Sequence, residues 1–377
     1  MVNYSEFKVG RSSGKTIHGI PTNVLKSALQ KYIRRGETIK ALQCILESNS
    51  FILLENANED DTLKYVNENS QKNISKKGIN MFGKCQRTNI ANRLLVICSE
   101  EININDNPKI PIYIWNLYNK WINNREKENS INYLIQAGSI LSTAKKGRTI
   151  SHLKSAYNLP PYYVKSKYRD KYNKFYVDNV KTKLNEEIDC DINLTNLLKF
   201  IDDRDLNKVF NLIGLMCINS TDKQIKNLLK DIWKHLSFIN QNKSIKCLNK
   251  IYNKMSHEEK PIYLYHALLL HIYEDKLIWN SPLKLERIPK LNYFNNINDL
   301  HENYIYDHHI NGKKNINSYI KLLKESFLIP DNYKNTDFIN TKLEQLYIYI
   351  KLAVGYFEEH KTFPDDTEIN KLRILLQ

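Results

Sequence analysis

The sequence has 377 residues, 42% of them hydrophobic, which is enough for a sizeable core in about two or three domains and excludes global disorder. With only 11 Gly and 10 Pro it lacks the turn formers that barrels and sandwiches need, and an all-α, multi-helix fold with few or no strands is expected. The formal net charge of +15 points to a polyanionic partner.

In chain order, residues 1–20 read as an irregular basic arm. Pro21 to Arg35 then reads as a helix, with Thr22 as N-cap and an apolar stripe of Val24, Leu25, Ala28, Leu29 and Tyr32. Gly36 stands where a left-handed residue ends a helix. A second helix is expected over 38–47, forming a helical hairpin with the first. Residues 55–80, rich in Asn, Lys, Asp and Glu, read as a polar insertion. Thr88 is expected to start the next helix, running to about Glu101, and further helices fall at 111–124 and 129–144. This gives a first helical domain over 21–145. A basic, Tyr-rich connector follows over 146–180. The second helical domain, 181–377, carries helical patterns at about 192–201, 204–217, 222–239, 242–255, 260–275, 315–327, 337–358 and 366–375. The clearest is 222–239, with Thr221 as its cap, and 276–312 reads as irregular.

Six scattered cysteines, none in a CxxC pair, suit free thiols in a reducing compartment. No apolar run reaches the ~18 residues of a membrane span, and the first residues lack the apolar stretch of a signal peptide. A cytoplasmic or nuclear setting is expected, with no membrane partner, no cofactor and no metal.

The motifs that resemble catalytic signatures are incomplete. Gly10–Thr16, GRSSGKT, has three residues between its glycines where a phosphate-binding loop needs four, and no acid-tipped apolar strand accompanies it. Asp307-His308-His309 spells the label of a phosphoesterase family, but the further Asp and His clusters needed for two metals are missing. His266 and His271, five apart, fall on different helix faces and are not a ligand pair.

The charge itself has two sources. Only 11 of the 56 basic residues are Arg, and the abundant Lys, Asn, Ile and Tyr all have AT-rich codons, so part of the charge reflects composition. Two segments stand out against that background. Between 145 and 176, Lys145, Lys146, Arg148, Lys154, Lys165, Lys167, Arg169 and Lys171 alternate with tyrosines, a mixture in which cations track phosphates and rings stack bases. On the first helix, Lys31, Arg34 and Arg35 form a polar face, and an Arg-Arg pair is unusual in a Lys-rich chain. With Arg87, these are the candidate nucleic-acid contacts.

A family resemblance lies in the same residues. Ser27-Ala28-Leu29-Gln30-Lys31-Tyr32-Ile33-Arg34-Arg35-Gly36-Glu37, then Ala41-Leu42, resembles the helical C-terminal region of MgsA/RarA-type replication-associated AAA ATPases, which carry Ser-Ala-…-Lys-Ser-x-Arg-Gly before an Ala-rich helix. Asn92 to Ile102 is similar to that family's Arg-Arg-Leu-…-Ala-Ser-Glu-Asp-Ile-Gly, with Glu101 in place of Asp and Asn103 in place of Gly. Asp307-His308-His309-Ile310-Asn311-Gly312-Lys313-Lys314 resembles an Asp-x-His-Thr-x-x-Gly-Arg/Lys stretch of free-standing versions in phages and large DNA viruses, with His309-Ile310 in place of His-Thr. The resemblance covers residues 17–110 and, faintly, 300–330. It implies a clamp-loader-collar-like helical array, a role in oligomerisation and a DNA replication or repair setting, in a cell, a viral factory or a virion. The family's ATP site lies in a part this chain lacks.

Three readings follow. The first is a non-enzymatic helical protein that binds DNA or a replication complex through basic surfaces. The second is a structural or scaffolding protein that oligomerises or binds protein through helical surfaces. The third is an enzyme acting through Asp307, His308 and Lys313. Arg93 shares a helix face with Glu100, and Arg34 or Arg35 is positioned to meet Glu100 or Glu101 when the helices pack. This makes Arg93, Glu100 and Glu101 a candidate structural ion cluster.

Overall fold

The computed structural model describes residues 14–62, 64, 75–157, 190–218, 220–256, 259–279, 288, 290–300, 315–327 and 341–376. Among these residues the fold is all-α, with fifteen α-helices and no strand. Pairing outside the helices is limited to isolated bridges at Lys15–Pro21 and Ile102–Lys146. By contacts the chain divides into two discontinuous units. One holds residues 1–101, 113–144 and 282–311; the other holds 102–112, 145–281 and 312–377.

The first unit begins with a tight turn. Thr22 donates its amide and its hydroxyl to the Gly14 carbonyl, and the Thr16 amide donates to Ile20. The Thr22 side chain is therefore occupied, and Pro21, not Thr22, is the N-cap of α1 (Thr22–Arg35). Gly36 closes α1 at φ 71°, a conformation that a side chain would strain, and α2 (Thr38–Asn49) follows at once. After the short α3 (Ile52–Glu55) comes α4, which runs from Lys76 to Glu100. Its start is Ser75, whose side chain accepts from the Gly78 amide, and not Thr88. Thr88 lies mid-helix and donates its hydroxyl to the Lys84 carbonyl. The first turns of α4 are polar, but Ile79 and Gly83 seat them on α3, so tertiary packing extends the helix into the expected insertion. α5 (Ile110–Asn123), from Tyr113 onward, and α6 (Ile131–Thr143) complete the unit. α6 lies against α1, α2 and α4, enclosing Leu25, Leu29, Leu42, Ile45, Leu94, Ile97 and Leu141.

The second unit is built around α12 (Lys260–Ile272), in which every side chain from Pro261 to Ile272 is buried. A helix that is apolar all round belongs in an interior. α7 (Thr149–Tyr157) packs on α12 and on α9 (Leu206–Ile218), which pairs with α8 (Leu194–Asp202). α10 (Asp222–Ile239) opens with a reciprocal capping box of Thr221 and Gln224, and α11 (Lys243–Lys254) returns along it. α13 (Ile316–Phe327), α14 (Thr341–His360) and α15 (Asp366–Ile374) form a further cluster around Leu323, Leu352 and Ile369, and α14 reaches α7. No described helix is long and apolar enough to cross a membrane. All six cysteines are free; Cys44, Cys98 and Cys217 are buried, and burial pushes the Cys217 thiol up to about 12.

Candidate functional site

The arginine of α1 meets the C-terminal end of α4. Arg34 is 5% exposed and Glu101, the C-cap of α4, is 0% exposed. The guanidinium grips the carboxylate with two parallel bonds, Nε to Oε2 at 2.8 Å and Nη2 to Oε1 at 2.7 Å. This is the fork geometry that Lys cannot supply. Gln30, one turn earlier on α1, donates Nε2 to Glu101 at 2.6 Å and to Glu100 at 3.0 Å, and its own oxygen accepts from Arg93 at 3.3 Å. The cluster thus ties two turns of α1 to two turns of α4 and fixes their register. Arg35 is half-buried and turns back to the Lys31 carbonyl, and Lys31 is almost fully covered.

A second lock sits at the middle of α4. Glu55 is shared by Arg87 and Arg125, with Arg87 Nη1 2.5 Å from Oε2 and Arg125 Nε 2.6 Å from Oε1. Arg125 also donates to the Lys84 carbonyl and the Thr88 hydroxyl, and its guanidinium lies 4.8 Å from the Trp121 ring centroid. Burial lowers the Arg87 pKa, the neighbouring Arg125 charge lowers it further, and Glu55 opposes both. Two cations on one carboxylate leave a positive charge buried in this cluster. Glu55, Trp121 and Arg125 were missed in the sequence; the rarity of Arg, which singled out Arg34 and Arg35, applied equally to Arg125.

In the second unit, Lys145 is exposed and pairs with Asp106 at 2.9 Å. Lys146 is 0% exposed, with its backbone bridged to Ile102. Arg148 is buried and donates Nη2 to the Ser151 hydroxyl. Lys351 lies nearby, its pKa lowered by burial and then by the Arg148 charge. Lys154 is half-buried on α7, and His152 stacks on Tyr347 at 4.3 Å. Lys165, Lys167, Arg169 and Lys171 lie outside the described residues, as do Asp307, His308, Gly312 and Lys313.

Of the expected nucleic-acid contacts, Lys31, Arg34, Arg87, Lys146 and Arg148 are buried, which leaves them little surface for a phosphate on the outside of the fold. At the Gly14–Thr16 end of GRSSGKT, the Thr16 amide donates to Ile20 and the Gly14 carbonyl accepts from Thr22, both within the turn. Beside it, His18 Nδ1 lies 2.9 Å from the buried Glu47, whose carboxyl is raised by burial against the opposing pull of Thr16 and His18. His266 is neutral in the interior of α12, burial holding its pKa down to about 3. His271 accepts from Asn240 at Nδ1 and donates Nε2 to the Ile201 carbonyl. Among the described residues no group of three or more His, Cys, Asp or Glu is placed to hold a metal ion.

The surface charge lies elsewhere. Lys223, Lys226, Lys230 and Lys234 on α10, and Lys243, Lys246, Lys250 and Lys254 on α11, are all exposed. The class of protein defined by the described residues is an all-α array in which buried guanidinium–carboxylate locks register helices of the first unit and the lysines of α10 and α11 face outward. The chain matches no family model, no curated protein and no solved structure.

Proposed function

We propose that this chain is a non-enzymatic helical scaffold, whose first unit is a rigid frame that presents helical surfaces to a second copy of itself or to another protein. The observation that carries this reading is the Arg34–Glu101 lock: the arginine expected to face a partner is spent on holding α1 to α4. The resemblance to the collar-like region of replication-associated ATPases supports a replication or repair setting and a role in oligomerisation: Arg93 and Glu100 match its pattern, Glu101 stands in place of its Asp, and all three lie in the lock. Size-exclusion chromatography with light scattering on the full chain tests the proposal. A stable oligomer is expected, and a strict monomer at all concentrations with no protein partner removes it.

Nucleic-acid contact is a second reading. It is supported by the exposed lysines of the second unit, and it attaches to different residues, so either reading can fail alone.

A further inference from the structure

We propose that the outer side of the α10–α11 pair in the second unit is a sequence-independent docking surface for the phosphate backbone of single-stranded nucleic acid. The two helices run antiparallel: Trp233 meets Tyr252 at 5.2 Å between ring centroids, and Asn249 donates to the Ser237 hydroxyl. Their apolar sides, with Ile232, Trp233, Leu236, Leu248 and Ile251, are buried. Each outer side carries four exposed lysines in the same rhythm, with steps of three, four and four residues from Lys223 to Lys234 and again from Lys243 to Lys254. At ~1.5 Å of rise per residue each row is about 16 Å long, with a cation every 5–6 Å. A packed neighbour lies about 8–10 Å away, which makes a two-row cationic strip. Asp231 is the one carboxylate among the described side chains of the pair, and among the described residues no ion pair holds Lys223, Lys226, Lys230, Lys234, Lys243 or Lys250.

The chemistry of the strip selects its partner. An anionic membrane is best met by an amphipathic helix with a free apolar face, and here both apolar faces are consumed by the core. Phe238, at the end of α10 beside Lys234, is 84% exposed, the most open of the large hydrophobic side chains among the described residues. A ring at the edge of a lysine strip suits an unstacked base, which favours a single strand over a duplex whose bases are paired away. Lysines are flexible point charges and read no sequence.

Fluorescence anisotropy of the full chain with fluorescein-labelled oligo(dT), a labelled duplex and vesicles of mixed phosphatidylserine and phosphatidylcholine tests this. The face variant carries Lys226→Gln, Lys230→Gln, Lys243→Gln and Lys250→Gln. A control of equal charge change, in the first unit, carries Lys77→Gln, Lys84→Gln, Lys120→Gln and Lys127→Gln, all at exposed positions. The face variant is expected to bind oligo(dT) at least tenfold more weakly, with its log–log salt slope reduced by about 3, at ~0.7 per phosphate contact. The control is expected to bind like the parent. Phe238→Ala is expected to lose about fivefold with the salt slope unchanged. Pairwise variants on each helix, checked by circular dichroism, keep the comparison open if the fourfold variant misfolds. No oligonucleotide binding at low salt, equal losses in face and control variants, tighter binding of the duplex, or binding of vesicles alone each overturn the proposal. The outcome is independent of the oligomeric state that tests the scaffold reading.

Discussion

Glu101 has no exposed surface and accepts from Arg34 twice and from Gln30 once, so its charge is held by donors and not by water. A pair of this kind contributes geometry more than net stability, because desolvation offsets the attraction. Removing one partner is a different matter. Glu101→Ala leaves the Arg34 guanidinium buried without its carboxylate, and a loss of about 3–5 kcal/mol is expected in urea unfolding. Replacing both partners, Arg34→Met with Glu101→Leu, is expected to restore most of that loss, giving a large coupling energy in the double-mutant cycle. Additive single losses would show that the two side chains do not act as a unit. The sequence pointed to this meeting because Arg34 and Arg35 share a helix end, Glu100 and Glu101 share another, and both helices had an apolar stripe to bring them together. It did not separate Arg34 from Arg35. The choice depends on which residue of an adjacent pair faces α4, about 100° of helix rotation, and two apolar stripes alone do not fix that angle. Glu55, Arg87 and Arg125 were less legible still, because three separate segments converge there and only the packed backbone brings them within reach.

Helix boundaries show the same division between local and tertiary causes. Gly36, Thr221 with Gln224, and Asp365 with Glu368 end or start helices by chemistry confined to four or five residues, and these boundaries are written locally. The start of α4 is not. Its first turns form because α3 packs against them, and Gly83 is the residue that permits it. A Cβ built there would lie 2.5 Å from the Glu55 amide nitrogen and 2.7 Å from the Phe51 carbonyl oxygen. These are backbone atoms that cannot step aside. At Gly138 the clashes, 2.4 Å to Ile45 Cδ1 and 3.0 Å to Leu42 Cδ2, are with the ends of flexible side chains. Gly83→Ala is therefore expected to cost about 2–3 kcal/mol, at the upper end of the overpacking range, and Gly138→Ala less, about 1 kcal/mol. Thermal melts of the two variants check the order. The reverse order would mean that α3 moves away from α4 more readily than the α2 side chains repack. Because Gly83 sits between Glu55 and Arg87, the alanine variant is also expected to loosen that lock, exposing the first turns of α4 to amide exchange.

At the scale of the molecule, the helical class was legible from few turn formers and long apolar periodicities, and the helices of the second half fell within a few residues of where those periods placed them. The discontinuous assignment of 102–112 and 282–311 to the two units was not, since no local signal records which segment a chain returns to. Nor did net charge reveal where cations face water: Arg34, Arg87, Arg125 and Arg148 are buried, while the lysines of α10 and α11 are recognisable as a surface only once Ile232, Trp233, Leu236, Leu248 and Ile251 define an inside. The interior of the second unit also carries a consequence for its pH response. His266 and His271 lie on α12 and burial lowers both pKa values, His266 from 6.5 to about 3. In the unfolded chain these rings protonate near 6.5; in the folded chain both protonate at lower pH. Below pH ~6.5 the unfolded state binds more protons, so folding stability falls as the solution is acidified, by about 1.4 kcal/mol per pH unit for His266 until its folded pKa is reached, with His271 acting in the same direction. Above that pH the two rings contribute no slope. His266→Gln, neutral at every pH, is expected to flatten the acid limb by one proton between pH ~6 and 4 in urea titrations of the full chain, leaving the His271 share in place. Identical pH slopes for the parent and His266→Gln would mean that the α12 interior admits a charged imidazole, and that the second unit is not sealed around it.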